Sequence, residues 1–119
     1  MNEKPSPIVQ KSYQFALRIV KLYKFLSQEK HEYVLSKEVL TNGTAIGAHV
    51  KAAQEADSRA GFVHEMSNAL QRTVKTEYWL ELLREAEYLD EKNFFAIHHD
   101  WLEIKKLLVA IVKSSRGQQ

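Results

Sequence analysis

A chain of 119 residues with 45% hydrophobic and 27% charged side chains has an ordinary globular make-up and the length of one domain. It has no cysteine, which excludes disulfides, thiolate metal sites and cysteine nucleophiles. The net charge of +2 is small but unevenly spread: residues 1–30 hold six Lys or Arg against two Glu, residues 57–91 hold four against eight acids, and residues 92–119 are basic again. The start, Met1-Asn2-Glu3-Lys4-Pro5, has no apolar secretory core. No apolar run approaches the roughly 18 residues that cross a bilayer. A cytoplasmic protein with no membrane contact is the expectation.

Both prolines lie at the start, and only four glycines follow, at 43, 47, 61 and 117. Such sparse punctuation argues against many short strands. The first element opens at Ser6-Pro7, an N-cap followed by proline at the first helical position. Ile8, Phe15, Ile19, Leu22 and Leu26 then recur at helical spacing, with Tyr13, Leu17 and Val20 off the stripe. The second element carries Leu35, Val39, Ile46, Val50 and Ala53, and an unusual run of small residues that lets a partner helix approach closely. Asn42-Gly43 is a turn signal inside it, but the apolar period stays in phase on both sides, so the helix is expected to continue. The third begins at Asp57-Ser58 and repeats Phe62, Met66, Ala69, Thr73, Leu80 and Leu83. The fourth follows Leu89-Asp90 with Phe94, Ile97, Trp101, Ile104, Leu108, Ile111 and Val112.

These patterns predict helices over about 7–28, 32–56, 58–88 and 91–114. They give an all-α chain, a single domain over 1–119 built as an antiparallel up-and-down four-helix bundle. Helices one and three are apolar over more than the one face that a lone bundle can bury, which predicts a homo-oligomer.

Catalytic and metal readings find little support. His98-His99-Asp100 looks like a ligand cluster, but adjacent helical residues point about 100° apart. The Glu-x-x-His pairs of carboxylate-bridged metal bundles and the His-Glu-x-x-His zinc motif are both absent. Glu77, Glu81 and Glu85 share one helical face and read as a solvated stripe. Gly43-x-x-x-Gly47 lacks the Lys-Ser/Thr and preceding strand of a phosphate loop, so packing explains it. No catalytic residue, metal, cofactor or small-molecule substrate is expected, and the chain is not expected to be an enzyme. The basic residues are the functional lead: Lys4, Lys11, Arg18 and Lys21 within about a 100° arc of helix one, and Lys105, Lys106, Lys113 and Arg116 on helix four. These are the expected nucleic-acid contacts. Gly43, Gly47, Tyr78, Trp79 and Leu82 are the expected helix-packing or oligomer residues.

Asn42-Gly43-Thr44-Ala45-Ile46-Gly47-Ala48-His49-Val50, then Glu55-Ala56, Phe62 and Met66-Ser67, and finally Thr76-Glu77-Tyr78-Trp79-Leu80-Glu81-Leu82-Leu83 carry a family resemblance. Across about residues 8–112 the chain resembles the bacterial four-helix-bundle proteins encoded by intervening sequences of large-subunit ribosomal RNA genes, also called ribosomal-protein-like. The resemblance implies a homopentamer, often around a central channel, and no firm biochemical activity. Related proteins are accessory factors of diversity-generating retroelements and bind nucleic acid and a reverse transcriptase. By that analogy RNA or DNA is the expected partner, and a purely structural protein–protein assembly module is the alternative. The chain departs from the family pattern at Gln71-Arg72-Thr73-Val74-Lys75-Thr76, where Arg72 and Lys75 replace expected acids, and at Gly61, where an acid is usual.

Overall fold

The computed structural model describes residues 6–117. Four helices account for nearly all of them: α1 (Pro7–Gln28), α2 (Leu35–Gln54), α3 (Arg59–Glu85) and α4 (Glu91–Gly117). Each helix packs on its chain neighbours, and α4 closes back on α1; the backbones of the diagonal pairs α1/α3 and α2/α4 stay apart across the core. The result is an all-α, antiparallel up-and-down four-helix bundle measuring 46 × 27 × 22 Å. The α1–α2 and α3–α4 turns lie at one pole, and the α2–α3 turn lies at the other with the start of α1 and the end of α4.

The core is the set of stripes seen in the sequence. Ile8, Phe15, Ile19, Leu22 and Leu26 of α1 meet Val39, Ile46, Val50 and Ala53 of α2, Met66, Ala69, Leu80 and Leu83 of α3, and Phe94, Ile97, Trp101, Ile104, Leu108 and Val112 of α4. Burying a side chain of the Leu, Ile or Phe class stabilises by about 1.5–3 kcal/mol, so these stripes dominate the energetics. Helix α2 runs unbroken through Asn42-Gly43. Gly43 is buried against Ile19, where an added Cβ would lie 2.8 Å from its Cγ1, and Gly47 lies against the Ser12 backbone. Both glycines therefore serve the α1–α2 seam inside one bundle. Buried Asn42 is satisfied by donating to the Glu38 carbonyl at 2.9 Å and accepting from Arg72 at 3.0 Å.

Three helix ends depart by three residues from the spacing-based expectation, while α2 ends two residues early at Gln54 and α3 begins one late at Arg59. Helix α2 begins at residue 35, not 32. Glu32 stays outside the helix, and its buried carboxylate accepts the N–H groups of Val34, Leu35 and Ser36 at 3.1, 2.9 and 2.7 Å. It acts as a cap on three of the four donors that a helix start leaves unpaired. Helix α3 stops at residue 85, not 88, because Glu87 turns into the left-handed region at φ 66°. There the Tyr88 and Glu87 N–H groups return to the carbonyls of Leu83 and Arg84, the Schellman pattern normally built on glycine. Helix α4 runs on to 117 rather than 114, with Ser115 buried under it. The Ser58 hydroxyl caps α3 by accepting from Gly61 N–H at 3.0 Å, as its position suggested.

Candidate nucleic-acid interface and assembly faces

The polar residues sort by helical face. On α1, Lys11 and Arg18 point at α4, where Lys11 pairs with Glu103 at 3.2 Å and Arg18 with Asp100 at 2.6 Å. Half the basic stripe read from α1 is thus taken up by the α1–α4 seam. Lys21 is exposed at the edge of a shallow depression shared with Phe25, Leu89 and Asn93. Lys4 lies outside the described residues.

The α4 cations are placed differently. Lys105 and Arg116 turn toward the α3 side of the helix, and Lys106 and Lys113 are exposed and point away from the core on the half of the helix nearer α3, as the 100° step per residue and the position of the core stripe require. Arg116 donates to Ser67 on α3 at 3.2 Å, and Lys105 lies 5.3 Å over the Trp101 ring. Arg116 and Lys75 line a groove of about 430 Å³ floored by Leu70, Val74 and Val112 and edged by Ser67 and Gln71. Among the described residues, no carboxylate pairs with any of these five cations. Lys75 therefore adds charge to this groove, whereas Arg72 is taken up inside the bundle by Asn42.

The half of the same α3/α4 face next to the α3–α4 turn is acidic. The Glu77 carboxylate accepts from His98 Nε2 at 2.7 Å, a pairing that calls for the ring proton on that nitrogen. The His98 ring is stacked between Phe94 and Trp101 at centroid distances of 5.3 and 4.8 Å. Glu81, Glu85 and Glu91 gather around Arg84 at 2.9, 3.4 and 3.9 Å, and its guanidinium lies 4.5 Å over the Phe94 ring. His98 and Asp100, neighbours in sequence, thus serve opposite seams, and His99 is exposed. Among the described residues, no group of three or more His, Cys, Asp or Glu is placed to hold a metal ion, and no helix is long and apolar enough to cross a membrane.

Large apolar side chains remain in solvent on two opposite sides of the bundle. On the α3/α4 face these are Val74, Tyr78, Phe95, Leu102 and Val109, with Tyr78 60% exposed. Of the other residues singled out in the sequence, Trp79 and Leu82 are half-buried, and Trp79 packs on the core. On the opposite side, Val9, Tyr13, Ala16, Thr44, Gly47, Ala48 and Lys51 line a groove of about 490 Å³ between α1 and α2. The seam partners Glu103 and Asp100 are not visible to sequence reasoning. They stand 92 and 82 residues from Lys11 and Arg18, beyond any local spacing rule.

Fold and surface together define a class, a helical-bundle scaffold with an apolar packed interior and a patterned exterior. The chain belongs to the 23S rRNA-intervening sequence protein family, whose model matches residues 4–110. Among solved structures it is similar to the crystal structure of a protein with unknown function from the S23 ribosomal protein family of Bacteroides thetaiotaomicron. The two share 47% identity over 89% of this chain and 95% of that one, with a TM-score of 0.88. No curated protein matches the chain.

Proposed function

We propose that this protein is a non-enzymatic accessory factor that works as an assembly of several copies and holds nucleic acid by its phosphate backbone. The observation that carries the reading is the strip of Lys75, Lys105, Lys106, Lys113 and Arg116 on the α3/α4 face, which no carboxylate among the described residues neutralises. Cations at this density attract a polyanion and release its counterions, which requires no base recognition. A homo-oligomer, a pentamer on the family's pattern, would repeat the strip and add its copies' fields. Two exposed apolar faces support the assembly. The family's tie to ribosomal RNA genes supports RNA as the nucleic acid and the cytoplasm as the place of action.

The test is titration of a fluorescent RNA hairpin and a DNA duplex across salt concentration. Binding is expected at low ionic strength with a steep salt dependence. Changing Lys106, Lys113 and Arg116 to Gln together is expected to weaken it and to flatten the salt slope by about one unit for each phosphate left without its cation. Binding absent at low salt, or a slope that the triple change leaves untouched, would sink the idea. Loss of binding with intact assembly would favour a purely structural protein–protein module, the reading that the two apolar faces support on their own.

A further inference from the structure

We infer that the α1–α4 seam holds a docking trough for one amphipathic helix of a protein partner, a helix whose apolar stripe ends in an acid on one side and a base on the other. The trough lies off the basic strip and goes beyond the proposed function, so either can fail without the other. The seam is closed over only part of its length. Lys11–Glu103 and Arg18–Asp100 bridge it in two rungs, seven residues apart on α1. Seven residues further on α1 stands Phe25, and antiparallel packing sets Asn93, seven residues before Asp100, across from it. A phenyl ring and a short amide build no polar bridge, and the ring is 42% exposed. Two depressions of about 310 and 490 Å³ meet at this point, sharing Phe25, Leu89 and Asn93. They form one trough with Leu22, Phe25 and Leu89 as its apolar floor. From Lys21 to the end of α1 at Gln28 it spans about 11 Å, two turns of helix.

The walls decide the form of the occupant. Both are helices whose backbone groups are already paired within α1 and α4. An extended segment would lay its own N–H and C=O groups on the apolar floor without partners, whereas a helix satisfies them itself. The ends decide its charges. Lys21 is exposed at one end, and among the described residues no carboxylate pairs with it. The other end carries Glu85, Glu87, Asp90 and Glu91 against Lys30 and Arg84. Arg84 is held by Glu81, Glu85 and Glu91, and Asp90 accepts from the Asn93 N–H and amide at 2.8 and 3.2 Å. Glu87 is exposed and, among the described residues, makes no ion pair, so it is the free charge of that end. Lys30 lies 5.8 Å over the Phe25 ring and is exposed, so its flexible stem yields to an entering side chain. A partner helix with an acid over Lys21, large apolar residues over Phe25 and a base over Glu87 complements each part of the trough. Nucleic acid does not, since its phosphates would meet the net negative end and its backbone an apolar floor.

The test uses three fluorescein-labelled amphipathic peptides of about 15 residues, long enough to hold a helix when bound. They share one Leu/Phe stripe and differ at the ends: Glu at one and Arg at the other, Arg at both, or Glu at both. Fluorescence anisotropy with the full chain should show the mixed peptide binding roughly tenfold tighter than either of the others. Phe25→Ser changes an exposed side chain and should keep the helical circular dichroism while weakening the mixed peptide roughly tenfold. Lys21→Glu makes both ends of the trough acidic and should move the preference to the Arg peptide, a reversal that misfolding does not imitate. No binding of the mixed peptide at about 100 μM, or binding that Phe25→Ser leaves unmoved, would overturn the proposal. Tightest binding of the Glu peptide would place the probe on the basic strip and overturn it as well. Should Phe25→Ser instead change the mass by light scattering or the RNA titration, the occupant is a second copy or nucleic acid, and the partner helix is refuted. The RNA titration of the unaltered chain decides the nucleic-acid reading separately from all of these.

Discussion

Glu32 shows how one side chain can stand in for a whole signal. The residue before α2, Val34, has no capping oxygen, so the sequence around Leu35 has no conventional start. The carboxylate two residues further back supplies three acceptor bonds, and the Ser36 hydroxyl donates back to the Glu32 carbonyl at 2.8 Å. Burial pushes the Glu32 carboxyl up, but those three N–H groups outweigh it and hold the group below its ordinary 4.5. Its contribution is therefore complete above the unfolded value and is lost as pH falls through the lower folded value. Glu32→Ala is expected to cost about 1–2 kcal/mol in urea unfolding near neutral pH, the range of a missing cap. Glu32→Gln is expected to flatten the fall in stability at acid pH. Gly43 makes a second point at this scale. Alanine there should gain up to about 1 kcal/mol in helix propensity but lose roughly 1–3 by crowding Ile19, for a net loss. In an Ile19→Ala background the same change should be neutral or stabilising, which a double-mutant cycle by denaturation will show.

Element ends explain where the sequence was legible and where it was not. Proline and serine mark the start of α1, and Ser58 marks α3, since each acts on its own neighbours. The stop of α1 was legible to the residue, although His31 beyond it takes φ 55°; that of α3 is harder, because Glu87 takes φ 66° without being glycine. Tertiary packing holds it there: Leu89, two residues past Glu87, is buried in the core and its N–H returns to the Leu83 carbonyl at 3.2 Å. A periodicity argument sees only that Tyr88 and Leu89 are apolar and extends α3 through them. The left-handed conformation costs a non-glycine residue roughly 1–2 kcal/mol. Glu87→Gly is accordingly expected to stabilise the protein by about 0.5–1 kcal/mol after the greater chain entropy of glycine is subtracted. A lower denaturation midpoint for that variant would contradict this account of the turn.

For the whole molecule, the four stripes and their antiparallel order were legible because each is local and periodic. The surface was legible only in part. Spacing could place Lys11 and Arg18 on one face of α1, but only the fold shows that this face meets Glu103 and Asp100. Pairs this exposed contribute about 0.2–1 kcal/mol each, enough to order a seam without dominating stability. The α4 cations were visible as residues but not as a groove, since Ser67, Gln71 and Lys75 come from another helix. The division of the α3/α4 face into an acidic and a basic half follows from the same antiparallel pairing. The acids end one helix and begin the next, and the bases run from the middle of the bundle, at Lys75, Lys105 and Lys106, to the far pole, at Lys113 and Arg116.

The burial of Trp101 gives the molecule its own optical reporter. Its indole is 2% exposed and donates to the Thr73 carbonyl at 2.7 Å across the α3–α4 seam, while Trp79 is only half-buried and lies edge-on to Tyr78 at 5.1 Å. The two fluorophores therefore sit in different dielectric surroundings. Trp79→Phe should leave a blue-shifted emission that acrylamide quenches poorly, and Trp101→Phe a redder one that it quenches readily. Parting of α3 from α4 would then appear as a wavelength shift from Trp101 alone, and docking of a second copy beside Tyr78 as a change in Trp79 alone. One unlabelled chain can thus distinguish unfolding from assembly by colour.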